Sequence, residues 1–178
     1  MKKVFLFFLF FSSSIFISAQ VLNNSDRYSL KLSMEDNGDL SYLGGTYGNY
    51  RLSLDYRFNK YFSAEGYAGY SAYRYYNYWA SSEVRHSFAG NGYFYGMNAK
   101  FYLTPFIFKD KGSKFDIYIK AKLGGITYKM AEDDHFSTGL DYGIYAGITY
   151  YIWKGLGLNL EIGYGRMNMS QIGLVYRF

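Results

Sequence analysis

The sequence contains no cysteine. That absence removes a disulfide framework, a thiolate metal site, a cysteine nucleophile and a lipid-modified cysteine. Proline occurs once, as Pro105. Blocks of one charge sign are missing as well. The net charge of +5 is modest, two of its contributors are Lys2 and Lys3 at the extreme N-terminus, and the rest are spread along the chain. No cluster of Lys and Arg offers a nucleic-acid footprint, so no nucleic-acid partner is expected. After Gln20 no run is long and apolar enough for a membrane-spanning helix. Glycine pairs such as "LGG" and "GYGR" do not lead from a strand into a helix, which excludes a nucleotide-cradling loop. What is abundant is tyrosine, phenylalanine and glycine, 23, 16 and 20 of 178 residues. That mixture favours strands and close backbone packing over helices. The length fits one domain.

The first residues read as an export signal. "MKK" is a basic start, "VFLFFLFF" an apolar stretch, and "SSSIFISA" drifts to small residues with Ala19 at a cleavage position before Gln20. Ser12, Ser13 and Ser14 break the run short of the ~20 apolar residues that a spanning helix needs. Residues 1–19 are therefore expected to be a cleaved signal peptide, and 20–178 the mature domain of an exported protein.

From Tyr28 onward the period is two. "YSLKLSM" sets Tyr28, Leu30, Leu32 and Met34 against Ser29, Lys31 and Ser33. "GLNLEIGYGR" sets Leu158, Leu160, Ile162 and Tyr164 against Asn159, Glu161, Gly163 and Gly165. Such alternation is the mark of strands with one apolar and one polar face. Eight runs follow this rule, near 27–35, 46–58, 61–73, 92–104, 114–130, 139–153, 156–167 and 170–178. In the fifth, the apolar phase shifts within "LGGIT", and a β-bulge at Gly124–Gly125 is expected to return Ile126, Tyr128 and Met130 to the apolar face.

Connections alternate in length. "NK" and "KGL" follow runs two and six, and "PFIFKDKGS" follows run four. The stretches "EDNGDLSYLGG", "RYYNYWASSEVRHSFAGN" and "AEDDHFST" follow runs one, three and five. Short turns at one end and mostly longer loops at the other describe an antiparallel transmembrane β-barrel.

The polar face carries both charge signs. Lys31, Arg51, Arg57, Lys100, Lys120, Lys122 and Arg177 stand against Asp55, Glu65, Asp116, Asp141 and Glu161. A bilayer requires the apolar face outward and a closed ladder of backbone bonds. Eight strands leave an interior that side chains just fill. The charged face is then expected to form a paired network that plugs the lumen. Gly143, Gly147, Gly163, Gly165 and Gly173, on the same face, are expected to leave room for its long side chains. Aromatic residues fall into two groups. Tyr56, Phe58, Phe62, Phe101, Tyr176 and Phe178 lie near the turn end; Tyr70, Tyr73, Tyr75, Tyr76, Tyr78, Trp79, Tyr93 and Tyr95 lie near the loop end. Two girdles at two interfaces are expected of a membrane barrel.

The chain ends "QIGLVYRF". Gln171, Gly173, Tyr176 and Phe178 resemble, position by position, the C-terminal recognition strand of bacterial outer-membrane β-barrels. That strand must also pair with the first to close the barrel. Signal, strand pattern and terminal motif together resemble the small outer-membrane β-barrel family that includes OmpA/OmpX-type barrels. The aromatic ending and "DYRFNKYFSAEGYAGY" resemble its members from Bacteroidetes-type bacteria. The resemblance implies an all-β, eight-stranded antiparallel barrel with short periplasmic turns and longer extracellular loops. It implies a bilayer of outer-membrane lipid and lipopolysaccharide, and the barrel-assembly machinery as reader of the terminal strand.

Candidate chemistry is sparse. "HFS" places His135 and Ser137 two apart, a spacing that resembles a lipid A deacylase of this fold class; "RHS", with His86 and Ser87, shows how readily such pairs arise. A serine nucleophile needs a base within hydrogen-bond reach. "EDD" beside His135 matches no calcium loop, and no metal or cofactor is expected. "YRYYNYWA" either stacks on sugars or a protein partner, or continues the upper girdle. The function expected is an envelope structural or surface-interaction protein, not an enzyme. It would act through loops near 35–45, 73–91 and 131–138 on an extracellular protein or glycan. A lipid A-modifying enzyme and a narrow pore are the alternatives.

Overall fold

The computed structural model describes residues 27–36, 46–76, 87–108, 113–130, 136–166 and 168–178. The expected signal peptide, His135 and the centres of the loops lie outside them. Eight strands follow in order: β1 Tyr28–Glu35, β2 Thr46–Arg57, β3 Phe62–Tyr76, β4 Ser87–Tyr102, β5 Phe115–Met130, β6 Phe136–Trp153, β7 Leu156–Gly165 and β8 Ser170–Arg177. Each pairs antiparallel with the next, and β8 pairs antiparallel with β1, so the sheet closes into a barrel. Phe178 completes that seam: its N–H donates to the Tyr28 carbonyl at 2.9 Å, and its carbonyl accepts from Tyr28 N–H at 3.2 Å.

The sequence pattern explains both ends of the barrel. At one end the turns are tight. Asn59 Oδ1 accepts from the N–H groups of Tyr61 (2.8 Å) and Phe62 (2.9 Å), which fixes the β2–β3 turn. The β6–β7 turn is Lys154–Gly155, both at positive φ (28° and 90°), as a two-residue hairpin turn demands. At the β4–β5 connection the strand stops at Tyr102, short of the expected boundary. Pro105 there stands in the first turn of a one-turn helix, α1 Thr104–Ile107, a place where its missing N–H is harmless. At the other end β3, β4 and β6 outrun the expected runs. Pairs from Tyr73↔Gly90 to Tyr76↔Ser87 carry the β3–β4 ladder into the expected loop. An ongoing ladder satisfies backbone groups even where Gly90 and Gly92 have weak strand preference.

Burial alternates along the strands, with the chemistry reversed from that of a soluble domain. Glu65, Lys120, Asp141 and Glu161 are 0% exposed, while Ile144 is 66% and Leu123 61% exposed. The turn-end girdle is continuous in places: Tyr28 meets Tyr56 at 5.0 Å and Phe178 at 6.1 Å, and Phe62 meets Phe101 at 5.1 Å. At the loop end Tyr70 and Tyr93 face outward 5.5 Å apart. Tyr78 and Trp79 lie outside the described residues.

One expectation fails. There is no bulge at Gly124–Gly125. Register runs unbroken through Gly124↔Gly96, Gly125↔Tyr95 and Ile126↔Phe94. Ile126 therefore turns inward and packs with Tyr67 and Phe94 in a small buried apolar cluster. Gly124 has another reason to be glycine: a Cβ there would lie 2.3 Å from the Tyr67 hydroxyl and 2.1 Å from the Tyr95 carbonyl.

Candidate functional site

The lumen is the best-built polar site among the described residues. All twelve charged residues expected there lie within 4 Å of an opposite charge. Nearest the turns, Asp116 on β5 accepts from Arg57 on β2 (3.3 Å) and from Arg177 on β8. The Tyr151 hydroxyl donates to the same carboxylate at 3.2 Å. The two guanidinium groups lie over aromatic rings, Arg57 3.8 Å from the Tyr102 centroid and Arg177 3.9 Å from that of Tyr151.

Above them sits the densest layer. Lys31 on β1 bridges Glu161 (2.7 Å) and Glu65 (3.4 Å). Lys100 on β4 bridges Glu65 and Asp55, and Lys120 on β5 meets Glu161. The Tyr118 hydroxyl donates to Glu161 Oε1 at 2.5 Å, and the Asn98 amide to Glu65 Oε1 at 2.5 Å. Most of these bonds join strands that are not neighbours in the sheet, so they cross the lumen.

The upper layer holds two further pairs. Arg51 Nε lies 2.7 Å from Glu35 Oε1, and Lys122 Nζ 3.0 Å from Asp141 Oδ2. Tyr67 donates to Asp141 at 3.0 Å, and its ring lies 4.2 Å beneath the Arg51 guanidinium. Lys122 also donates to Asn168 at 2.8 Å. The Tyr67–Phe94–Ile126 cluster covers this layer on the loop side.

Sequence reasoning missed Glu35 and the lumen role of Gln171. Glu35 simply continues the polar phase of β1 by one step, so that signal was present. Gln171 was assigned to the terminal motif. Its side chain sits at the centre of the network and is buried. The amide orientation that satisfies its surroundings donates to Glu161 Oε2 (2.9 Å) and Glu35 Oε1 (3.2 Å). Gly173 also faces inward, against Ser33, whereas Tyr176 and Phe178 are exposed on the outer wall. The expected use of the inward glycines needs correction. At Gly143, Gly147 and Gly165 the space goes to tyrosine rings rather than to long charged chains. A Cβ on Gly147 would lie 2.4 Å from the Tyr118 ring, and one on Gly165 would lie 1.7 Å from the Tyr145 hydroxyl. Those rings in turn bring hydroxyls to Glu161 and Asn168. Of the alternative catalytic pair, Ser137 is exposed near the top of β6, and His135 lies outside the described residues.

Chemically the charged groups of the lumen are matched in pairs, while buried Asn49 Oδ1, Ser53 Oγ and Ser71 Oγ have no hydrogen-bond partner among the described residues. Its architecture is that of known membrane barrels. The N-terminal β-barrel domain of OprF from Pseudomonas aeruginosa is similar, with a TM-score of 0.53 at 16% identity, covering 86% of this chain and 98% of that one. Outer membrane protein W of E. coli gives 0.49 at 16% identity, over 88% of this chain and 100% of that one. Neisserial surface protein A gives 0.48 at 19%, over 85% and 95%. At this identity the likeness to the OprF domain is one of fold. No curated protein matches the sequence. Residues 7–178, however, match the family described as outer membrane protein beta-barrel domain. With eight closed strands and an apolar outer wall, this chain belongs to that family of small outer-membrane β-barrels and resides in the bacterial outer membrane.

Proposed function

We propose that this barrel is closed to free solute flow and serves the envelope as a structural or surface-interaction protein through its extracellular end. The observation that carries the reading is the lumen network: ion pairs occupy each level from Asp116 to Arg51, and most of those in the two layers nearer the turns join strands that are not neighbours. Eight strands enclose a lumen that side chains fill, whereas conducting porins use ~16–18 strands. Lipid and lipopolysaccharide are the natural partners of the outer wall. The extracellular crown, where β3–β4 and β5–β6 rise beyond the ends of β7, β8 and β1, is the natural place for a protein or glycan partner. Gln171, Gly173, Tyr176 and Phe178 are assigned as the strand read by the assembly machinery. Purified protein in planar bilayers is expected to show only small, infrequent conductance steps. Large, steady steps from the wild-type protein would overturn the closed-lumen reading in favour of a pore.

A further inference from the structure

A second polar feature sits at the periplasmic rim, outside the lumen. Between the β6–β7 turn and the start of β5 lies a cavity of 280 Å³, lined among others by Ser113, Lys114, Trp153, Lys154, Gly155 and Arg177. Its charge is one-sided. Lys114 and Lys154 are exposed and meet no carboxylate among the described residues. The third cation, Arg177, is held at the back of the cavity by Asp116, but Asp116 also serves Arg57. One side-chain carboxylate thus serves two cations, and neither lysine has a carboxylate partner among the described residues. The depth of the cavity is also fixed. Trp153 is 68% exposed beside outward-facing Ile152, which sets the cavity at the bilayer interface, where tryptophan rings settle.

The backbone supplies an independent observation. Lys154 is the one non-glycine residue at positive φ among the described residues. Asn or Gly is the easy occupant of such a turn position, and a lysine there carries local strain. The strain is held in place from below. The Gly155 carbonyl accepts from Arg177 N–H at 2.9 Å, and a Cβ on Gly155 would strike the Arg177 carbonyl at 2.3 Å. The strained position therefore places Lys154 on the wall of that cavity, with its ammonium group 5.8 Å from the Trp153 ring centroid.

We infer that this cavity is a phosphate-binding site, occupied by the headgroup phosphate of an anionic phospholipid in the periplasmic leaflet. Lys114 and Lys154 provide the charge, Arg177 the fixed rear wall, and Trp153 and Ile152 the flank along which the acyl chains descend. The inference rests on the placement of the chain in the outer membrane and is independent of whether the lumen conducts.

The test is retention of added lipid by the folded, full barrel in detergent, read by native mass spectrometry. Phosphatidylglycerol, phosphatidylcholine and inorganic phosphate are titrated separately. The wild type is expected to hold one phosphatidylglycerol in preference to phosphatidylcholine. Lys114→Gln with Lys154→Gln should weaken that binding roughly 30-fold, on the scale set for two basic residues at an anionic surface. Lys60→Gln, on the β2–β3 turn on the far side of the barrel and outside the cavity, should leave it unchanged. Lys154→Asn should weaken binding while leaving the unfolding midpoint equal or higher, because it relieves the turn. Equal binding by the double variant, or an equal loss with Lys60→Gln, would overturn the site. Displacement of the lipid by millimolar inorganic phosphate would overturn the lipid assignment and leave a free-phosphate site.

Discussion

The two walls of one strand make the most instructive contrast in this molecule. On β7, Glu161 is fully buried while its neighbour Ile162 is 59% exposed. In a soluble sandwich the same alternation would put the isoleucine inside. Here the apolar set is transferred to lipid, and the protein interior holds the ions. The outer wall gains by the usual apolar transfer, but into a bilayer rather than a core. The inner wall gains little net energy from each ion pair, since desolvation offsets much of the attraction, but removing one partner leaves a buried charge uncompensated. The outer wall tolerates any apolar residue, and the inner wall demands particular partners.

That contrast can be broken from either side. The largest effect is expected inside. Glu161→Ala strips Lys31, Lys120 and Tyr118 of a shared acceptor and should cost about 3–5 kcal/mol in urea unfolding from lipid vesicles. On the outer wall, Ile162→Arg should cost about 2–4 kcal/mol in the same assay if it lies near the bilayer midplane, whereas Ile162→Leu should be nearly silent. Tyr118→Phe keeps the ring but deletes the hydroxyl that joins Glu161 and Asn159, at a cost of about 1.5–3 kcal/mol. Gly147→Ala pushes a methyl into that ring and should cost about 1–3 kcal/mol. The smallest effect on stability is expected at the terminal strand. Tyr176→Ala with Phe178→Ala touches only the outer wall, so the unfolding midpoint should move little while the folded yield in the outer membrane falls. Normal insertion of that double variant would remove the recognition role from these two residues.

Much of this was legible in the sequence because the two walls differ so sharply in chemistry. Period-two alternation alone assigned the twelve lumen ions to one face, from Lys31 to Arg177. It could not show who pairs with whom. Lys31 meets Glu161 across the barrel from a strand that is not its neighbour, and that meeting exists only after closure. Ile126 was misplaced because its hydrophobicity argued for the lipid face. The unbroken register with β4 overrode it, and Tyr67 and Phe94 supplied an apolar patch inside. The inward glycines were seen, but their partners were not. A glycine in sequence does not reveal which ring crosses above it, and the rings of Tyr118 and Tyr145 come from positions fixed by sheet pairing. Gln171 was read for its place in the terminal motif, and its contacts with Glu161 and Glu35 depend on the β8–β1 seam.

The central claim is that the lumen ions are paired with one another and not separately hydrated. A double-mutant cycle on Lys122 and Asp141, with Lys122→Met and Asp141→Asn, tests it most directly. These two side chains are fully buried and 3.0 Å apart. If the lumen is filled by its own side chains, each single variant should destabilise the barrel, and the double variant should recover about 0.5–3 kcal/mol relative to the sum of the two. Strict additivity of the two changes would mean that water, and not the partner, solvates each charge, and the closed, paired lumen would be contradicted.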